Sequence, residues 1–478
     1  MTGLGKQVVS GTIWAAIDRM GTMVVQFIVN LILARWLLMP EDFGYIGMLA
    51  IFISVSQTLV DGGFGSALIQ KKAPSQEDYS TIFYWNVLFS AILYLILFLV
   101  SPLVASFFNM PLLCDVLRVL GLVIVINSLT IIQNNRLRKQ LAFRTIALIN
   151  VGSLMLAAVI AIYIAYKGYG VWSLVAMQLL YGIFQNCFLW GVVRWHPSLQ
   201  FSLSSLKSLF SFGGYLLASN ILQEICKNMQ GLIIGKKFSA TQMGYYSQAK
   251  KLDDVCSYAL PNIIVQVIFP VYSRFQDDHE KLCDLLGISI RLIAYLIFPL
   301  MLLLILIAEP LILFLYGDKW IFSVPYFQIL CVGGIFVCLQ NINYYAVAAV
   351  GKSRVLFNWS FYKWSVLLLL LFVGAHWGMH GILWGMVLSS MNIYMVNAFL
   401  ANKYVGYSVM HQIKDFAPIL VVSTLSYVGV IELQHLFVSM HFAIMVLIFI
   451  VLYLFLTYIC RLRIVNDVVY ILNMLRRH

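Results

Sequence analysis

Polar and ionisable side chains recur at helical spacing in three stretches of a sequence that is otherwise strongly apolar. In each stretch an acid lies within a few residues of a base. The first stretch comprises Asp18, Arg19, Thr22, Gln26 and Asn30. The second comprises Asn220, Gln223, Glu224, Lys227 and Gln230, and the third Lys250, Lys251, Asp253, Asp254, Tyr258, Asn262 and Gln266. Residues three or four positions apart share one helix face, so each stretch predicts a helix with a polar stripe.

These stripes have two interpretations. A charge inside a hydrocarbon layer costs at least about 2.5–3.5 kcal/mol, so such groups usually face a cavity or a partner. An acid beside a base, such as Asp18 with Arg19, would alternatively form a structural ion pair, and for any one residue both interpretations stand. Matching stripes on three helices favour one wet cavity. The predicted cavity residues are Asp18, Arg19, Gln26, Asn220, Glu224, Lys227, Lys250, Lys251, Asp254 and Asn262.

The composition indicates that these helices lie in a membrane. Of 478 residues, 62% are hydrophobic and 10% charged, and the mean hydropathy is +0.90. Soluble domains average about 45–50% apolar and about 25% charged. The apolar surplus must face lipid, and continuous apolar runs favour helices over a barrel because a helix satisfies its own backbone polar groups. We therefore predict an all-α integral membrane protein of about fourteen transmembrane helices.

The predicted helices are separated by short polar segments. They fall near residues 10–34, 43–69, 79–101, 112–132, 144–166, 169–193, 208–235, 244–272, 288–315, 321–350, 355–376, 379–402, 416–434 and 441–460. Two further basic residues, Arg118 and Lys363, lie a turn or two inside their helices, so we expect them to snorkel to the interface.

The two halves of the chain resemble each other at an offset of about 200 residues. LLMPEDFGYIGM (37–48) aligns with KFSATQMGYYSQ (237–248), so Gly44 matches Gly244, and SPLVASFFN (101–109) aligns with EPLILFLYG (309–317). An even number of helices in each repeat gives both the same orientation, as in transporters built from two lobes. We predict a six-helix lobe at 1–200, a second at 201–405, and two added helices with a basic tail at 406–478.

The basic residues sort by side of the membrane. The formal net charge is +12, and with a cytoplasmic amino terminus most of the 31 Lys and Arg fall on the inside of the predicted topology. This is the positive-inside pattern, so the charge reflects membrane orientation and not nucleic-acid binding. Both termini are predicted to be cytoplasmic.

The sequence lacks the motifs of an enzyme. It contains no GxxxxGK[ST], HExxH or GxSxG motif, and its eight cysteines show no CxxC spacing. We therefore expect no catalytic residues, no cofactor, no metal site and no built-in ATPase. Coupling to protons or sodium stays open.

Three segments carry a family resemblance. ARWLLMPEDFGYIGM (34–48), DGGFGSALIQKK (61–72) and GYYSQAKKL with the later FPVYSRFQ (244–276) resemble polysaccharide flippases of the multidrug/oligosaccharidyl-lipid/polysaccharide superfamily. The resemblance is greatest to the Wzx-type branch, which includes colanic-acid and teichuronic-acid exporters, and it spans nearly the whole chain.

The resemblance implies alternating access of two six-helix bundles in the bacterial cytoplasmic membrane. It implies a polyprenyl-linked substrate, undecaprenyl-pyrophosphate oligosaccharide, moved to the periplasmic leaflet, with polysaccharide polymerase machinery as an expected partner. Related lipid flippases use a cationic cavity for the pyrophosphate, for which Arg19, Lys227, Lys250 and Lys251 are the candidates here.

Two alternatives stand beside the flippase. One is a small-molecule or drug/cation antiporter of the same superfamily, whose cavity should be dominated by acids. The stripes hold equal numbers of acids and bases, so charge alone does not decide, and DGGFGSALIQ favours the flippase. The other is a membrane glycan polymerase or acyltransferase, which should show a large outer loop that the sequence lacks.

Overall fold

The computed structural model describes residues 3–62, 68, 71, 74–436 and 442–464, and these are almost entirely helical. Capping residues and glycines mark where the apolar helices begin and end. Ser75 accepts a hydrogen bond from the backbone N–H of Asp78, whose carboxylate in turn accepts from the N–H of Ser75. Gly62, with φ at 56°, and Gly406, with φ at 91°, end helices in the left-handed conformation that glycine tolerates.

The chain divides into two units, Met1–Gly244 and Tyr245–His478. The helices of the first unit are α1 (Gly3–Ile32), α2 (Pro40–Asp61), α3 (Gln76–Phe108), α4 (Leu112–Leu120), α5 (Leu122–Ser128), α6 (Ile131–Lys139), α7 (Phe143–Tyr166), α8 (Val171–Val193) and α9 (Leu203–Lys237). The next helix, α10 (Ala240–Asp254), begins in the first unit and continues into the second. The predicted lobe limits at 200 and 405 stay a prediction.

The second unit continues from α10. Its further helices are α11 (Leu260–Arg274), α12 (His279–Leu306), α13 (Ala308–Tyr316), α14 (Val324–Ala349), α15 (Ser353–Gly374), α16 (Gly378–Val405), α17 (Val409–Leu436) and α18 (Phe442–Ile459). A π-helical turn at Val255–Ala259 joins α10 to α11. Buried residues of α12, α14 and α16 form the centre of this unit, where α14 packs on both α12 and α16.

Eleven described segments are long and apolar enough to cross a bilayer. One of them, Ser353–Val405, has 53 residues and contains both α15 and α16. The more polar α9 and α10, which carry two of the predicted stripes, are not among the eleven. The all-α integral membrane fold is confirmed, and the count of about fourteen crossings stays a prediction.

Small residues bring α2 against α9 and α10 in the first unit. A Cβ atom on Gly231 would lie 2.8 Å from the carbonyl oxygen of Gly47. A Cβ on Gly44 would lie 1.8 Å from the oxygen of Ala240, and one on Gly244 would lie 1.8 Å from the oxygen of Pro40. The positions that the repeat aligns therefore make reciprocal backbone contacts, of the kind that small residues permit between membrane helices.

Polar contacts hold α17 on the second unit. The buried amides of Asn343 and Gln412 exchange hydrogen bonds of 3.0 and 2.9 Å. Arg291 pairs with Asp415 at 3.0 Å. Tyr407, in the turn before α17, donates a hydrogen bond to Asp415. Burial and the Asp415 carboxylate raise the pKa of the Tyr407 phenol, so that it stays a donor at neutral pH.

Candidate functional site

A polar cavity of about 490 Å³ lies within the first unit. Helices α2, α8 and α9, the end of α5 and the start of α6 surround it. Most of the lining side chains carry an amide, a hydroxyl or a carboxylate. The lining comprises Gln57, Thr58, Val60, Asp61, Asn127, Ser128, Thr130, Ile131, Gln185, Asn220, Gln223 and Glu224.

Helical spacing explains how the polar groups converge. On α9, Asn220, Gln223 and Glu224 follow the i, i+3, i+4 pattern and share one face. On α2, Gln57 and Asp61 are four residues apart, so they too share a face near the carboxyl end of that helix. Because α2 packs directly on α9, these two faces border the same space.

The lining hydroxyls are bonded to their own helices, whereas several lining amides are not. Thr58 donates to the carbonyl oxygen of Ser54 at 2.9 Å, and Ser128 donates to that of Val125 at 2.7 Å. By contrast, four amide side chains form no hydrogen bond to any other residue that the structure describes. They are Gln57, Asn127, Asn220 and Gln223. Their donors and acceptors are thus available to a ligand.

Two hydrogen-bond chains position the other lining groups. Gln185 donates to Asn150 at 2.8 Å, and Asn150 donates to Asp18 at 3.0 Å. Asn228 donates to the Glu224 carboxylate and to Ser54, both at 3.1 Å. Asp18, predicted to pair with its neighbour Arg19 or to face a cavity, therefore takes its described partner from α7.

The predicted residues of the first unit fall in different places. Asn220 and Glu224 line the cavity, and Asp18 reaches it through Asn150 and Gln185. Arg19, Gln26 and Lys227 are exposed, and none of the three is among the lining side chains. The structure alone does not assign a ligand to any of them, so their roles stay predictions.

In the second unit the predicted residues form an ion-pair cluster. Lys250 lies 2.7 Å from the carboxylate of Asp253, which is buried, and 2.8 Å from that of Asp254. Two acids therefore surround this base, which reduces its availability to an anion. Lys251 is exposed and Asn262 is half-buried.

The expectation that Lys363 snorkels to the interface is wrong. Its side chain is 6% exposed, and its ammonium group donates to the amide oxygen of Asn397 at 2.6 Å. Asn397 in turn donates to the backbone oxygen of Gln340 at 3.0 Å. The neighbouring helix α16 thus supplies the hydrogen-bond acceptor for the ammonium group, which lipid headgroups or water would provide at the membrane surface. Arg118 is half-buried, donates to Ser101 at 2.9 Å and stacks on Phe98.

Several cavity residues were missed in the sequence. Asn127 and Gln185 belong to no repeated polar stripe, and an amide of this kind in an apolar helix more often makes a structural hydrogen bond. Gln57 and Asp61 did offer a signal, since they repeat at i, i+4 on a predicted helix. Asp61 also begins the DGGFG segment, but residues 63–67 of that segment lie outside the described residues.

Comparison with known proteins shows the family to which the sequence belongs. A family model described as polysaccharide biosynthesis protein matches residues 32–325. The teichuronic acid biosynthesis protein TuaB of Bacillus subtilis (strain 168) is 26% identical over 361 residues, which cover 75% of this chain and 74% of TuaB.

Solved structures share the fold at low sequence identity. The lipid II flippase MurJ in an inward closed conformation has a TM-score of 0.72 and 15% identity, covering 94% of this chain and 98% of that one. An inward-facing multidrug resistance MATE family transporter of the MOP superfamily has a TM-score of 0.63 and 14% identity, covering 83% and 98%. These likenesses show that the fold is shared, and the family match extends over more than half of the sequence. The chain is a member of the polysaccharide biosynthesis protein family of integral membrane proteins.

Proposed function

We propose that this protein is a flippase for polyprenyl-pyrophosphate-linked oligosaccharide. It moves the lipid-linked glycan from the cytoplasmic to the periplasmic leaflet by alternating access during surface polysaccharide biosynthesis. The observation that carries the proposal is the polar cavity inside an otherwise apolar helical unit of a polysaccharide biosynthesis protein. Burying polar groups without partners in a membrane protein is costly, so such a cavity indicates that these groups bind a ligand.

The family and the fold support this substrate class. TuaB is named for teichuronic acid biosynthesis, and MurJ is described as a lipid II flippase. A surface glycan assembled on a lipid must cross the hydrocarbon layer with its polar part shielded. A hydrogen-bonding cavity within a helical bundle provides that shielding.

The location, the partners and the coupling ion of the transporter are proposed together with its function. The membrane is the bacterial cytoplasmic membrane, both termini are cytoplasmic, and polysaccharide polymerase machinery takes up the product. Arg19, Lys227, Lys250 and Lys251 are the proposed basic groups for the pyrophosphate, and Lys250 also pairs with two carboxylates. A proton or sodium ion is the proposed coupling ion.

Deletion of the gene in its host tests the proposal. We expect surface polysaccharide to be lost and lipid-linked repeat units to accumulate on the inner leaflet, with both defects reversed by a plasmid copy. Normal surface polysaccharide in the deletion strain, with no accumulated lipid-linked glycan, would contradict the assignment.

A second candidate is a cation antiporter. It is favoured by one observation: both charged residues among the described cavity lining, Asp61 and Glu224, are acids. An antiporter of this kind would raise the accumulation of a cationic dye in everted vesicles whose lumen is loaded with protons or sodium. Dye movement that depends on Asp61 and Glu224, together with unchanged surface polysaccharide after deletion, would select this candidate over the flippase.

A further inference from the structure

We propose that the cavity of the first unit binds an uncharged, hydroxyl-rich part of the transported glycan and excludes the pyrophosphate. This inference rests on the proposed flippase function and deepens it, because it separates the binding of the sugar from the binding of the lipid phosphate. It concerns the side chains of α2, α8 and α9 that converge on one space.

The chemistry of the lining matches sugar hydroxyls. A hydroxyl both donates and accepts hydrogen bonds, and an amide side chain offers two donors and an acceptor. Gln57, Asn127, Asn220 and Gln223 all line the cavity, and none of them is engaged by another described residue. Glu224 and Asp61 add acceptors that suit sugar O–H groups. The site therefore presents several free partners to a ligand rich in hydroxyls.

The charge of the lining opposes an anion. Among the described residues that border the cavity there is no lysine or arginine, while Asp61 and Glu224 are both acids. A pyrophosphate in this space would meet a net negative charge, because Asp61 and Glu224 are two acids and Arg138, which acts on Asp61 from outside the lining, is a single base. Lys227 lies on the same helix one turn beyond Glu224 but is not part of the lining.

The volume of the cavity and the lack of aromatic side chains among its described lining residues fit a ligand that is bound and then released. At about 490 Å³ the cavity falls within the range of roughly 300–1,000 Å³ that small-molecule sites occupy. No aromatic side chain is among its described lining residues. Net hydrogen-bond energies are small because water competes for the same groups. Recognition by hydrogen bonds alone thus allows the glycan to be released on the far side.

The test replaces free amides by isosteric apolar residues. Gln57→Leu and Gln223→Leu, separately and together, remove two amides that bond no other described residue, so no partner is stranded. The matched control is Gln178→Leu, two turns before Gln185 on α8 and outside the lining. Binding of two probes is measured by native mass spectrometry on the purified full chain: undecaprenyl pyrophosphate alone, and the same lipid carrying the host's repeat unit.

The two lipids distinguish the outcomes. For the double variant we expect affinity for the glycan-bearing lipid to fall about tenfold, or about threefold for each single variant, as expected for lost hydrogen bonds. Affinity for the bare lipid should be unchanged, and the control should match the wild type. The single variants decide the matter if the double variant is poorly expressed.

Two results would overturn the inference. An equal loss of affinity for both lipids would place the pyrophosphate in the cavity, and unchanged affinity for the glycan-bearing lipid would remove the glycan from it. In either case the flippase proposal survives, because the wild type still binds the lipids. A wild type that binds neither lipid would instead count against the proposed function itself.

Discussion

Gly44 and Gly244 occupy the tightest helix contacts of the first unit. A methyl group on Gly44 would lie 1.8 Å from the backbone oxygen of Ala240, and backbone cannot move aside as a side chain can. We therefore predict that Gly44→Ala, and likewise Gly244→Ala, lowers stability by about 1–3 kcal/mol, the usual cost of overpacking, or prevents folding. Thermal stability of the detergent-solubilised protein and its abundance in the membrane provide the measurement.

Gly191 supplies the control for that prediction. It lies in α8, and a Cβ there would meet no atom within 4 Å. Gly191→Ala should be neutral or stabilise the helix by up to about 1 kcal/mol, since alanine is the better helix former. If Gly44→Ala were as stable as Gly191→Ala, the reciprocal contact between α2 and α10 would not be as the structure has it.

Single residues also show how far sequence reasoning reaches. Asn220 and Glu224 could be found because they repeat at helical spacing within one stretch. Asn127 and Gln185 could not, because neither belongs to a repeated polar stripe and each joins the cavity only through packing. The position of Lys363 near a helix end suggested an interfacial side chain. Its acceptor, Asn397, is 34 residues away in the chain, and no local pattern reveals it.

At the scale of elements, α17 depends on buried polar contacts for its position. Gln412 has no exposed surface and is bonded to Asn343 in both directions. Gln412→Leu leaves the Asn343 amide and the Tyr394 hydroxyl buried without this partner, so we predict a loss of about 1–3 kcal/mol in stability. Removing both amides, with Asn343→Leu and Gln412→Leu together, should restore part of that loss, since only the Tyr394 hydroxyl then lacks its acceptor. A double-mutant cycle on thermal stability gives the coupling between the two amides.

The control for this cycle is on the same helix. Gln434 is exposed near the end of α17, so Gln434→Leu should change stability little. A double variant that loses as much as the sum of the two single variants would show that the amide pair does not hold α17 in place.

The sequence predicts most of the long helices, but it predicts less well where they end and where they are interrupted. Long apolar runs predicted α3, α7, α8 and α12 because no soluble alternative accommodates them. The division of the fourth predicted span into α4, α5 and α6, and the π-helical turn before α11, have no clear sequence signal.

At the scale of the whole molecule, the distribution of basic residues predicts cytoplasmic termini. Single cysteines introduced near Met1 and His478, in a chain whose eight native cysteines are replaced, should resist an impermeant thiol reagent in intact cells. The same sites should react after the cells are opened. Labelling of either terminus in intact cells would contradict the predicted orientation.

The central claim, that this chain flips a lipid-linked glycan, is tested most directly by transport in proteoliposomes. The probe is the host's undecaprenyl-pyrophosphate-linked repeat unit, and its arrival in the opposite leaflet is read with a glycan-modifying enzyme that cannot cross the bilayer. We predict rapid movement with the wild type, and loss of movement with Lys227→Ala combined with Lys251→Ala at equal reconstituted amounts, because these bases are the proposed pyrophosphate partners. Movement no faster than in protein-free vesicles would contradict the flippase, and full movement by the double variant would contradict its cationic groups.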